Sequence, residues 1–359
     1  MLISDATISR LRIFNQHIGP PTFDRPHEVV SHMGYIQAQD YLGSLWAVGL
    51  RMKVASESII EQALADRSIV RTWPARNTLH YVAAEDVRWM LDLLAPHAMQ
   101  QRLGRYRQLE LEPKTFHLSG RLLLNSLKSN GQLTRSDCYQ VLEHGGISTA
   151  GQRGIHILQH LALEKLICFG PRQGKQQTFV LFDDWVPETK PKTREEALSE
   201  LTLRFFSSHG PATVKDFAWW TGLTTADAKV GLENVSSALV EERLDDKVYW
   251  MPPSNRTSQI TPMHTVLLPP FDEYLVGYAD RSAVLDPKHI LSTNAGGGML
   301  SAVIVIDGKV AGTWKRTLKK NSVEITPSWF TPPTEEETRS FSVAAQRYAT
   351  FIGLPAFVN

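Results

Sequence analysis

Residues 119–182, SGRLLLNSLKSNGQLTRSDCYQVLEHGGISTAGQRGIHILQHLALEKLICFGPRQGKQQTFVLF, decide how the rest of the chain is read. Leu122, Leu123 and Leu127 run to Gly131, the pattern of a helix with a C-terminal glycine stop. Thr134 stands where an N-cap belongs, ahead of a second helical stretch that closes on Gly145 and Gly146. Ser148 or Thr149 caps a third, in which Ile155, Leu158, Leu161 and Ala162 recur at helical spacing. Two apolar runs follow, joined by a Gly/Pro/Lys/Gln turn, which signals a hairpin. Three helices and a two-stranded wing make the winged form of the helix-turn-helix.

The same order recurs on both sides. In 191–255, TREEALSELTLRFFSSHG carries acids in its first turns, as a helix N-terminus favours. PATVKDFAWWTGL has Pro211 near the first turn and Gly222 at the end. TTADAKVGLENVSSALVEE comes third, and RLDDKVYWM, turning at Asp245-Asp246, is the wing. Residues 1–112 are a looser copy. Their helices are SDATISRLRIFNQHI (capped by Ser4 or Asp5), RPHEVVSHMGYIQ and SESIIEQALADRS, and IVRTWPARNTLHYVA is the hairpin. An insertion, AQDYLGSLWAVGLRMKVA, separates the second helix from the third. Residues 256–359 differ in kind, with β-branched runs cut by Gly, Pro and the hairpin-type turn Asp307-Gly308, then a helix, TEEETRSFSVAAQRYATFIG.

The expected fold is therefore mainly α with β (α+β). Winged helices are expected at 1–112, 113–190 and 191–255, then a small antiparallel β-barrel or sheet with a terminal helix at 256–359. The linker VPETKPKTREE marks the clearest boundary.

Composition narrows the function. With 42% hydrophobic and 21% charged residues the chain reads as an ordinary globular protein. No apolar run approaches the roughly 18 residues of a membrane span. MLISDATISRLRIFNQ, with Asp5, Arg10 and Arg12, has no apolar core of a secretory signal, so a cytoplasmic, nucleoid-associated location without membrane contact is expected. Cys138 and Cys168 lack CxxC spacing, which argues against a disulfide framework and a cysteine-based zinc site. Net charge is +1, from 38 basic and 37 acidic residues, so any nucleic-acid footprint must be local. QQRLGRYRQ (Arg102, Arg105, Arg107) and GKVAGTWKRTLKK (Lys309, Lys315, Arg316, Lys319, Lys320) supply local basic density, which a solvated face would explain equally well.

HMGYIQAQDYLGSLW, residues 32–46, holds two amides two apart, Gln37 and Gln39, beside Asp40. Glutamine does not exchange protons near neutral pH, so the pair reads as a surface accident, a structural polar network or part of an active site. Winged helices enter DNA grooves and also serve as protein-interaction modules, so fold alone leaves DNA binding and scaffolding open.

Four stretches carry a family resemblance: YIQAQDYLGSLWAVGLR, RTWPARNTLHYVAAEDVRWML, LLPPFDEYLVGYADRSAVLD and GGGMLSAVIVIDGKVAGTWKR. In the same order through nearly the whole chain, they resemble the AlkZ-type winged-helix DNA glycosylases, which unhook interstrand crosslinks and remove alkylated purines. Gln37-Ala38-Gln39 matches the family's Gln-x-Gln subtype, and the resemblance implies that Gln37 and Gln39 are catalytic. It implies double-stranded DNA with alkylated bases or crosslinks as partner. No cofactor and no metal are expected, and a monomer is. Where the family's hairpin is expected to read RGTLH, this chain has RNTLH, with Asn77 for glycine. Asparagine tolerates left-handed backbone, so the turn is expected to be kept.

The chemistry accommodates amides. Breaking an N-glycosidic bond passes through an oxocarbenium-like transition state, and an N7-alkylated guanine already carries positive charge, so it leaves without an acid. What remains is to hold a water and stabilise positive charge, which amide carbonyls can do. For both amides to face one site, residues 37–39 must be extended or lie at a helix terminus.

Asp40 is the competing general base, or simply the cap of YLGSLW. His80 reads first as a structural histidine, with a DNA-facing role as the alternative. Arg71, Arg76, Lys315 and Arg316 are the expected phosphate contacts. GGGM at 296–299 lacks the GK[ST] of a phosphate loop. Asp272-Glu273 has no histidine beside it in sequence to suggest a metal, and Trp219-Trp220 reads as core.

Overall fold

The computed structural model describes residues 4–19, 21–256, 265–296 and 298–358. Residues 257–264, at the start of the expected C-terminal region, and Gly297 of the GGGM stretch lie outside them.

Along the chain the expected elements are present. The middle segment forms helices Pro113–Asn130, Arg135–His144 and Arg153–Leu163, followed by strands Ile167–Phe169 and Thr178–Leu181. Thr134 N-caps the second helix in a reciprocal capping box with Asp137. The later segment forms helices Arg194–His209, Val214–Thr221 and Thr225–Val235, then a hairpin of Val240–Leu244 and Lys247–Met251. That hairpin turns at Asp245, whose φ is 51°. The first segment forms helices Asp5–Asn15, Pro26–Met33 and Glu57–Ala65 and a hairpin of Ile69–Thr72 and His80–Ala83. Its insertion contains helix Tyr41–Gly49. A 22-residue helix, Val87–Gln108, follows the first hairpin with Pro96 inside it. QQRLGRYRQ lies on this helix and is not wholly a solvated face, because Arg102 is buried.

The chain divides into two compact units that are discontinuous in sequence. One comprises Met1–Ile60, Ser199–Trp220 and Thr224–Asn359, the other Glu61–Leu198 and Thr221–Leu223.

In the first unit, five strands form a sheet in the order Ala356–Val358, Val323–Trp329, Lys309–Leu318, Val303–Ile306, Val266–Leu268. Of the antiparallel barrel or sheet expected here, a sheet is formed, antiparallel except at one edge. The sheet is open, and its terminal strand Ala356–Val358 pairs parallel to its neighbour. A parallel edge follows from the connection: helix Glu335–Ile352 carries the chain back along the sheet before the last strand is laid down. The turn between Val303–Ile306 and Lys309–Leu318 is the anticipated Asp307-Gly308, at φ 48° and 81°. Along Lys309–Leu318, Trp314 points inward and gives its indole N–H to the Leu268 carbonyl at 2.9 Å, while Lys315 faces outward. The second basic run is thus split: Lys315 lies on the outer face, Arg316 lies on the same side as Trp314 and bonds Tyr348, and Lys319 and Lys320 follow the strand's end. Trp46, Trp220, Tyr35, Tyr274, Tyr278 and Tyr348 are all buried in this unit. Each such ring is worth roughly 1.5–3 kcal/mol of burial.

In the second unit, strands Gln132–Thr134, Thr178–Leu181 and Ile167–Phe169 form an antiparallel sheet in that order. Trp73 packs on Phe169, with ring centroids 4.8 Å apart. No helix among the described residues is long and apolar enough to cross a membrane.

Candidate active site

Helix Pro26–Met33 ends at Gly34, which takes φ 81°. A Cβ there would sit 3.0 Å from the Trp220 ring, which would have to give way, and the positive φ itself favours glycine. Tyr35 then stacks on Trp220, centroids 3.9 Å apart and planes within 8°, and its hydroxyl donates to the Trp220 carbonyl at 2.6 Å. Ile36–Gln37 is extended, and the Gln37 N–H donates to Glu273 Oε1 at 2.8 Å. Helix Tyr41–Gly49 begins after Asp40, whose carboxylate accepts from the Gly43 N–H. Gln37 is therefore the last residue of a strand, and Gln39 lies in the bend that leads from it to the helix N-terminus. A helix would have set them about 200° apart.

The two amides differ in setting. Gln37 is 7% exposed, whereas Gln39 is exposed. Gln37 Oε1 is buried and has no hydrogen-bond partner among the described residues. An orphaned acceptor costs about 1–3 kcal/mol, so its retention calls for a reason outside stability.

Beneath this segment lies a buried polar floor that linear reading missed. Glu273 is fully buried and also accepts the Trp220 indole N–H at 3.0 Å, with His209 Nε2 at 3.6 Å from the same oxygen. Asp272 meets Arg51 through two bonds of 3.0 Å, and Arg51 also donates to the carbonyls of Gln16 and Ala47 and to Gln16 Oε1. Gln16 in turn donates to the Tyr278 hydroxyl, which donates to the His209 carbonyl. Burial pushes the His209 imidazole below its usual value, against the opposing pull of Glu273. Burial likewise lowers His32 to about 4. Asp272-Glu273 does have a histidine near it, but from a helix that ends 63 positions earlier (272 minus 209). Trp220 is core as expected. Trp219 is not: it is 47% exposed, and its indole N–H reaches the Val276 carbonyl at 3.1 Å.

Asp40 is half-buried, and Arg316 approaches it at 3.6 Å while donating to the Tyr348 hydroxyl. Gln37, Gln39, Asp40, Lys315 and Arg316 thus share the first unit, with Arg316 held by an aspartate and a tyrosine and Lys315 exposed. The cap assigns Asp40 a structural task. Asp40→Ala is expected to cost about 0.5–2 kcal/mol in thermal or denaturant melts while excision persists. A folded but inactive Asp40→Asn variant would instead mark the carboxylate as the base.

His80, Arg71 and Arg76 belong to the second unit. His80 is fully buried with Nδ1 at 2.9 Å from the Thr78 carbonyl, the arrangement of a structural histidine. Arg71 is 4% exposed and lies over the Phe169 ring at 5.0 Å, so the expected phosphate contact is not available to it in this structure. It pairs opposite Tyr81 in a hairpin whose two strands are buried at every position. Arg76 is half-buried at the turn, with φ 48°. Asn77 follows at φ 61°, so the left-handed turn is kept. Its side chain adds an anchor glycine would lack, since Oδ1 accepts from Arg102 at 2.5 Å; its main-chain carbonyl, which glycine would share, accepts from Gln159 at 3.0 Å.

Comparison with known proteins defines the class. A family model described as DNA glycosylase AlkZ-like matches residues 30–351, and the chain belongs to that family, the AlkZ-like DNA N-glycosylases. Among its relatives is an interstrand DNA cross-link repair glycosylase of Streptomyces sahachiroi, 25% identical over 333 residues, which cover 85% of each chain. The solved structure of the Streptomyces sahachiroi DNA glycosylase AlkZ superimposes over 100% of both chains with a TM-score of 0.80 at 23% identity, a likeness of fold.

Proposed function

We propose that this glycosylase hydrolyses the N-glycosidic bond of cationic N7-alkylated purines in double-stranded DNA, interstrand crosslinks included, with Gln37 and Gln39 as its catalytic pair. The observation that carries the reading is the buried, partnerless Gln37 Oε1 on a segment poised between strand and helix. In this role the oxygen accepts from the attacking water and turns its negative dipole end toward the developing oxocarbenium ion. Gln39, exposed two residues on, fixes the orientation of that water. No proton need reach the base, because alkylation at N7 has already made it a leaving group that departs neutral, and the proton released from the attacking water passes to solvent.

The crosslink repair named for the Streptomyces relative supports including crosslinks among the substrates. A base covalently tied to the opposite strand is not readily rotated out of the duplex, so attack within the duplex fits such lesions better than extrusion. We read the three helix-and-hairpin segments (1–112, 113–190, 191–255) as winged helices, with 256–359 contributing the catalytic floor beneath Gln37. The enzyme acts as a monomer on the cytoplasmic nucleoid. Exposed Lys315 and half-buried Arg76 remain phosphate contacts in this reading, and Arg316 becomes one only by leaving Asp40.

The test is incubation with duplex DNA carrying N7-methylguanine, then alkaline cleavage at abasic sites. Strand breaks at the lesion are expected. Tight binding without breaks would instead make the chain a non-catalytic DNA-binding protein.

A further inference from the structure

Resting on the reaction just proposed, we infer that Glu273 is a positioning residue for excision. Its two oxygens are divided between two N–H donors: Oε1 takes the main-chain N–H of Gln37 at 2.8 Å and Oε2 the indole N–H of Trp220 at 3.0 Å. A carboxylate can accept at both oxygens at once, whereas an amide offers one acceptor and one donor group. Trp220 is itself held by the stacked ring of Tyr35, two residues before Gln37. The segment 35–37 is therefore gripped at both ends by one rigid assembly, and Glu273 is the piece that joins them. Helix Glu273–Val276 begins at this residue, and its N-cap Asp272 is locked by Arg51, so the carboxylate has little freedom to follow a drifting strand. With its backbone fixed, Gln37 can hold a partnerless Oε1 in place until substrate arrives.

The experiment compares wild type with Glu273→Gln by three readouts: single-turnover excision of N7-methylguanine from duplex DNA, Kd for the same duplex, and the amide proton shift of Gln37 in a ¹⁵N TROSY spectrum. In the variant, an NH₂ group must face either the Gln37 N–H or the indole N–H, and the strand shifts. The rate is expected to fall about 100-fold, the loss typical of a misplacement near 1 Å. Kd is expected to be unchanged and the Gln37 amide proton to move upfield. A wild-type rate, or a loss carried wholly by Kd, overturns the inference. If Glu273→Gln does not fold, Trp220→Phe decides, since it keeps an aromatic ring beside Tyr35 and removes the indole donor. A slower rate with a shifted Gln37 amide supports the role, and any other result removes it. Normal excision by Gln37→Ala/Gln39→Ala would bring down the proposed reaction itself. Inactivity of that pair beside a wild-type Glu273→Gln would bring down only the role of Glu273.

Discussion

Gln37→Ala combined with Gln39→Ala is expected to lower single-turnover excision of N7-methylguanine by at least about 10²- to 10³-fold, the cost of removing one preorganised polar group from a developing charge. Stability should not fall with it. The anchoring contact at residue 37 is made by the main-chain N–H, which alanine retains. Deleting an orphaned buried oxygen also removes a destabilising group, so Gln37→Ala is expected to melt at or above the wild-type temperature. Loss of activity with retained or increased stability is the signature of a group kept for chemistry. The single variants should not simply add, because both amides address one water. Wild-type excision by the double variant would end the assignment.

Breaking the Arg51–Asp272 pair should produce the largest loss of stability available from a single substitution in the first unit. Both side chains are essentially inaccessible, and Arg51 is spread over five acceptor atoms in Gln16, Ala47 and Asp272. Arg51→Ala leaves an uncompensated carboxylate in the interior, a cost of about 3–5 kcal/mol. Arg51→Lys keeps the charge and loses the planar fork, so an intermediate loss is expected. Denaturant midpoints measure both. A loss from Arg51→Ala within about 0.5 kcal/mol, the range of ordinary surface changes, would show that Asp272 is solvated or neutral. Because Asp272 caps the helix that starts at Glu273, excision should weaken along with stability.

Local rules carried much of the fold. Thr134, with Asp137 three residues on, builds the capping box that such spacing foretells, and Asp307-Gly308 makes the hairpin turn its residue types demand. The amide pair was visible as an oddity, and its assignment came through family likeness, since nothing in a glutamine's local context announces catalysis. What could not be read was the floor beneath it. Gln37 meets Glu273 across 236 positions, Arg51 meets Asp272 across 221, and Tyr35 meets the Trp220 carbonyl across 185. No periodicity records such distances. Arg71 was expected outside because charge suggests exposure, whereas every position of its strand Ile69–Thr72 is buried, and here a phenylalanine ring receives the guanidinium. The parallel edge strand escaped notice because three residues after a helix carry too little pattern to show direction.

The 236-position reach from Gln37 to Glu273 also sets a timetable for the living cell. At roughly 5–20 residues per second, a ribosome that has finished the first amide needs on the order of 12–50 seconds more to deliver the carboxylate that seats it. On the role inferred for Glu273, a nascent or prematurely terminated chain that ends before residue 273 carries the glutamines without the contact that positions them, and its excision is expected to be slow.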